Sequence, residues 1–75
     1  MDIIKEYEEK IKIMLAPLGI IAKKANGTSR KYVDVDVNAF IEIKTLFMKT
    51  FVSYDDAKLN QAINNIIPTL YVIED

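Results

Sequence analysis

Apolar residues recur at helical spacing near the N-terminus of this 75-residue chain. The stripe consists of Ile3, Ile4, Tyr7, Ile11, Met14 and Leu15. Spacings of three and four residues place side chains on one face of an α-helix, and charged residues occupy most of the other positions. The pattern predicts a helix over 2–16, with Asp2 as its N-cap. Pro17 and Gly19 are expected to end it.

A second helical stripe precedes the C-terminus, and its members are Leu59, Ala62, Ile63, Ile66 and Ile67. It predicts a helix over 54–67. Ser53 and Asp56 resemble a capping box in which Asp replaces the usual Glu, and Pro68 disfavours helical geometry at the preceding residue. The apolar run that follows predicts a short strand over 69–73.

Between these segments, alternation of apolar and polar residues indicates strands. Val33, Val35 and Val37 alternate with polar or aromatic side chains, which is typical of a half-buried strand. Asn26-Gly27 accepts the positive φ angles that a tight hairpin turn needs. The pattern predicts a β-hairpin of strands 18–25 and 30–37 with a loop of two or four residues. The four-residue loop would place Ile20 opposite Val35.

Residues 38–52 fit two interpretations. Phe40, Ile43, Phe47 and Phe51 would line one face of a helix, and Asn38 is a suitable N-cap. The β-branched and aromatic content keeps a strand open as the alternative. We therefore predict an α+β fold, a single domain over 1–75 with the order α-β-β-α-α-β. The hairpin, with or without the C-terminal third strand, would pack against three amphipathic helices.

Composition argues against catalysis. The chain has no His and no Cys, and Ser29 and Ser53 are its only serines, so no nucleophile–base pair with His can form. Asp34 and Asp36 would share a strand face, but no further ligand for a metal ion is identifiable. We expect a non-enzyme with no cofactor, no metal and no small-molecule substrate.

No apolar run approaches the roughly 18 residues that a membrane span needs, and the charged N-terminus does not resemble a signal peptide. We therefore expect a soluble intracellular protein without membrane association. Ile, Lys and Asn are abundant, which suggests an AT-rich genome such as that of a phage or mobile element.

The charges are unevenly placed, although the net charge is only −1. Residues 23–31 contain four basic side chains and no acid. A basic hairpin tip could contact phosphates, so weak nucleic-acid binding is the alternative function. The candidate residues are Lys23, Lys24, Arg30, Lys31 and Tyr32.

A chain of this length has too little interior to bury all seven of its Phe and Tyr side chains. Exposed aromatic residues that cluster in a patch mark interfaces, and Tyr54 and Tyr71 are the candidates here. We therefore predict a small non-catalytic module that occupies the surface of a larger protein or complex, as an inhibitor, adaptor or regulator. A phage protein directed at a host defence complex would be one example. A self-complementary patch would also give a homodimer.

Overall fold

Helices dominate the computed structural model, which describes residues 2–74. The elements in chain order are α1 (Ile3–Leu15), a 3₁₀ turn (Ala16–Leu18), β1 (Ile20–Ile21), β2 (Ser29–Lys31), α2 (Tyr32–Val35), α3 (Ala39–Thr50), α4 (Asp56–Ile66), a second 3₁₀ turn (Ile67–Thr69) and β3 (Tyr71–Ile73). The predicted α+β class is confirmed.

Local chemistry sets both ends of α1. The Asp2 carboxylate accepts a hydrogen bond of 3.0 Å from the backbone N–H of Ile4, as expected of an N-cap. At the other end the chain tightens into the 3₁₀ turn that contains Pro17. Gly19 then adopts a φ of 78°, and its N–H bonds to the carbonyl of Ala16. A side chain would be strained at that angle, which explains why Gly occupies the position.

α3 settles the ambiguity over 38–52, because Ala39–Thr50 is helical and the strand alternative is wrong. Its buried residues are Ala39, Ile43 and Phe47, four apart on one face. The Phe47 ring packs edge-on against Tyr7, with centroids 5.4 Å apart. The three long helices thus share one core, whose largest fully buried side chains are Phe47, Ile11, Leu15, Ile43, Leu59, Ile63, Ile66 and Leu70.

α4 begins later than the sequence predicts. Asp55, not Ser53, is the N-cap, and its carboxylate accepts a hydrogen bond of 3.1 Å from the N–H of Lys58. The proposed capping box of Ser53 and Asp56 is therefore wrong. A long-range contact accounts for the shift: the N–H of Asp55 donates to the hydroxyl of Tyr7 at 2.8 Å. That bond holds the chain against α1 at the point where α4 starts.

The three strands form one sheet in the order β1-β3-β2, with both outer strands antiparallel to β3. Val72 lies opposite Ile20 on one side and opposite Arg30 on the other. The C-terminal strand is confirmed, but it is central. The predicted hairpin of 18–25 and 30–37 is wrong, because β1 and β2 run parallel to each other and β3 separates them. A three-stranded sheet satisfies more backbone groups than an isolated hairpin does.

Residues 32–35 form the short helix α2 where a strand was predicted. Tyr32 is buried, and its N–H donates to the carbonyl of Leu70 at 3.0 Å, after which the chain leaves the sheet. Val35 and Val37 consequently lie exposed. The predicted turn does form: Asn26 and Gly27 have φ angles of 46° and 80°, and the N–H of Thr28 bonds to the carbonyl of Ala25.

Candidate protein-binding groove

An apolar groove lies between the C-terminal half of α1, the 3₁₀ turn after it and the end of α3. Its volume is about 530 Å³. This lies within the size range of pockets that bind ligands or anchoring side chains. Its lining residues are Lys10, Ile13, Met14, Pro17, Leu18, Leu46, Thr50 and Phe51.

Ile13 and Leu18 form exposed walls of the groove, with 72% and 60% of their surfaces accessible. Ile13 projects from α1 away from the core stripe of Tyr7, Ile11 and Leu15. Leu18 follows Pro17 in the 3₁₀ turn and cannot reach the core. Covering a large aliphatic side chain with another apolar surface is worth about 1.5–3 kcal/mol. The groove therefore exposes apolar surface that a partner could cover.

A cation lies at the rim of this groove. The Lys10 ammonium group is 5.1 Å from the centroid of the Phe51 ring and 3.4 Å from a carboxylate oxygen of Glu6. This ion pair lies within α1, and its two side chains give the groove a polar rim. An apolar centre with a polar rim is the arrangement found in protein–protein interfaces.

The predicted aromatic patch does not form. Every Phe and Tyr side chain is buried or half-buried, and the large apolar side chains that are exposed are those of Ile, Leu, Val and Met. Tyr54 packs edge-on against Phe47, with centroids 6.1 Å apart, and Tyr71 is half-buried in the central strand. The two candidate interface residues, Tyr54 and Tyr71, thus keep only part of their surfaces accessible.

Sequence reasoning missed the groove, although a signal for it was present. Ile13 falls outside the apolar stripe of its own helix, and Leu18 lies between two residues that end that helix. An apolar residue on the polar face of an amphipathic helix is a candidate contact residue.

The five residues of the predicted basic tip do not form one surface. Lys23 and Lys24 are exposed in the loop between β1 and β2. Arg30 forms an ion pair with Glu74 at 3.6 Å, and neighbouring Lys31 projects from the opposite face of its strand. Tyr32 is buried, so it offers no stacking surface to a base.

Tyr32 belongs instead to a small acidic cluster. Its hydroxyl donates to a carboxylate oxygen of Glu42 at 3.1 Å. The pKa of Glu42 is raised above its ordinary value, chiefly by a hydrogen bond with Asp36 and to a lesser degree by burial and by the charge of Asp36. The hydrogen bond from Tyr32 acts in the opposite direction and lowers this pKa. Burial, and then the bond to Glu42, raise the pKa of Tyr32. In residues 2–74, no three acidic side chains come close enough together to hold a metal ion.

The two serines lie in different surroundings. Ser29 is buried, and its hydroxyl accepts a hydrogen bond of 3.0 Å from the N–H of Ala25, which braces the turn. Ser53 is exposed in the segment before α4. Of the helices in the described part of the chain, none has the length and apolar character that crossing a bilayer requires.

A scan of protein-family models and searches of curated proteins and solved structures find no match to this chain.

Proposed function

We propose that this protein is a non-catalytic binding module that acts by occupying the surface of a larger protein or complex. The observation that carries the proposal is the apolar groove between α1 and α3, with Ile13 and Leu18 exposed along its walls. A module of this kind would act as an inhibitor, adaptor or regulator, because it brings binding surface and no chemistry. A phage protein directed at a host defence complex would fit this description.

The form of the groove favours a protein partner over a small substrate. Apolar side chains line it, and both protruding walls belong to helical turns. An amphipathic helix could insert apolar side chains spaced three or four residues apart into such a groove. We therefore propose an amphipathic helix as the element of the partner that binds.

The alternative, nucleic-acid binding through the basic loop, has less support. Lys23 and Lys24 are exposed, but Arg30 is paired with Glu74 and Tyr32 is buried. So few phosphate contacts would give weak binding that moderate salt removes. Salt-sensitive retardation of mixed DNA or RNA, lost on charge reversal at Lys23 and Lys24, would favour this alternative.

A test of the groove uses the intact chain as bait in a lysate of its native host, followed by identification and purification of the captured protein. With both proteins purified, we expect a stable complex in calorimetry. The double variant Ile13→Asp/Leu18→Asp should weaken binding at least tenfold, because each aspartate would lose its water in the complex.

Val35→Asp is the matched control, because it also adds a charge at an exposed apolar position. Val35 lies just before the N-terminal end of α3, and the groove lies at the other end of that helix. We expect the control to bind like the wild type. Equal losses in both variants, or none in the groove variant, would overturn the assignment of the groove.

A further inference from the structure

The outward face of α3 carries a second apolar surface, on the side of the helix away from the groove. Ile41 and Met48 are exposed over 62% and 48% of their surfaces. They are seven residues apart, so they lie on the same face about 10 Å from each other. Leu46, which lines the groove, is turned by about 160° from Met48 around the helix axis.

This surface is symmetric along the chain. Ile41 and Met48 lie at equal distances from the peptide bond between Lys44 and Thr45. The same is true of Val37 and Val52, which are exposed before and after the helix. If a second copy of α3 ran antiparallel, Ile41 of one copy would lie against Met48 of the other. Thr45, near the centre, is small enough to let the two helices approach closely.

The charges beside the apolar face are related by a similar symmetry, whose centre lies one residue later, between Thr45 and Leu46. Glu42 and Lys49 are also seven residues apart and share one flank of the helix. In a dimer centred on the apolar pair, Glu42 of one copy and Lys49 of the other would be offset by about 3 Å along the helix axis, a distance that their long side chains can span. Within residues 2–74, neither side chain takes part in a salt bridge. An antiparallel arrangement would place Glu42 of each copy beside Lys49 of the other, so that two ion pairs form.

The charge on the opposite flank of α3 is compatible with contact between two copies of the helix. Lys44 lies there, and its ammonium group is 2.9 Å from a carboxylate oxygen of Asp56. The ion pair within one copy reduces the repulsion that two lysines near the symmetry axis would otherwise cause.

We propose that this protein forms a homodimer through α3, in which two antiparallel helices join Ile41 to Met48 and Glu42 to Lys49 across a two-fold axis. The two grooves then face away from the interface, so the dimer does not depend on what fills them. A single 12-residue helix is about 18 Å long and covers less than the roughly 800 Å² per partner of a standard interface. We therefore expect a dissociation constant in the micromolar range.

The experiment is sedimentation of the full chain from about 1 µM to 1 mM, concentrations chosen to span a micromolar equilibrium. The wild type should change from monomer to dimer across this range. Ile41→Asp/Met48→Asp should remain monomeric, and circular dichroism should confirm that it is folded, since both positions are exposed. Ile13→Asp in the groove is the matched control and should dimerise like the wild type. A wild type that is monomeric throughout overturns the proposal, and so does a control that loses the dimer.

Charge exchange tests the antiparallel orientation. Lys49→Glu should weaken the dimer about tenfold, because two attractive pairs become repulsive. Glu42→Lys should weaken it similarly, and the double variant Glu42→Lys/Lys49→Glu should restore it to within about threefold of the wild type. A double variant as weak as the single ones would contradict the pairing. Failure here leaves the groove assignment untouched, because that assignment is measured with a different partner and different variants.

Discussion

α1 and α4 differ from the segment 18–37 in how they are held in the structure. The two helices pack against each other and contribute seven of the buried residues, spaced along one face of each. The segment 18–37 contributes only Ile20, Ser29 and Tyr32. Its strands are fixed by hydrogen bonds to β3, which comes from the C-terminus. The helical region therefore has its own packing surface, whereas the segment 18–37 depends on a distant part of the chain.

The same difference indicates which positions tolerate substitution without loss of stability. A core residue in α1 is surrounded by side chains from the other long helices, so removing it leaves a cavity. Val35 and Val37, in contrast, face solvent. Chemically similar substitutions should therefore change the free energy of unfolding by very different amounts in the two regions.

The largest effect is expected for Ile11→Ala. Ile11 is fully buried in the core, so the substitution should lower the free energy of unfolding by about 2–5 kcal/mol. Urea unfolding followed by circular dichroism measures it. Val35→Ala is the comparison, and it should change stability by no more than about 0.5 kcal/mol. A loss above 1 kcal/mol at Val35 would indicate a buried strand there and contradict the comparison.

A smaller effect is expected at the start of α4. Asp55→Ala removes the carboxylate that caps the helix and should cost about 1 kcal/mol in the same unfolding experiment. Ser53→Ala, at the position that the sequence favours as the cap, should change stability by less than about 0.5 kcal/mol. A larger loss of stability for Ser53→Ala than for Asp55→Ala would show that Ser53 is the N-cap of α4 in solution.

The smallest effect is expected at Glu42, where the segment 18–37 meets α3. Because its pKa is raised in the folded protein, Glu42 contributes stability at acidic pH that is lost as the pH rises through that raised pKa. Glu42→Gln removes the repulsion from Asp36 and keeps an acceptor for Tyr32. At the lowest concentration of the sedimentation series, where the wild type is expected to be monomeric, the thermal midpoint at pH 7 should therefore be equal to that of the wild type or higher.

The wild type should approach or overtake this variant as the pH is lowered toward 4.5, the ordinary pKa of Glu42. Asp34→Asn, an exposed position in α2, is the control and should leave the pH dependence of the midpoint unchanged. A lower midpoint for Glu42→Gln at pH 7 would mean that the carboxylate stabilises the fold, contrary to this interpretation.

The candidate site was harder to predict than the helices. The lysines at 23, 24 and 31 are exposed, but the sequence could not reveal that Tyr32 turns into the core or that Arg30 meets Glu74. Tyr54 and Tyr71 could not be recognised as half-buried, because Phe47 and the central position of β3 cover them only in the folded chain. The groove has walls from residues more than 25 positions apart, such as Ile13 and Leu46.

By itself the sequence determined α1, most of α4, the turn at Asn26-Gly27 and the final strand, and for α3 it favoured a helix without excluding a strand. These depend on interactions within a few residues: helical spacing of apolar side chains, caps, proline and left-handed backbone angles. Only the tertiary structure decided the order of the strands, the start of α4 and the surface left exposed. Hydrogen bonds between distant segments control these features, such as those from Asp55 to Tyr7 and from Tyr32 to Leu70. The local sequence pattern does not show which distant residue a backbone group will bind. For this reason the alternating valines of 33–37 predicted a strand where the structure has a short helix.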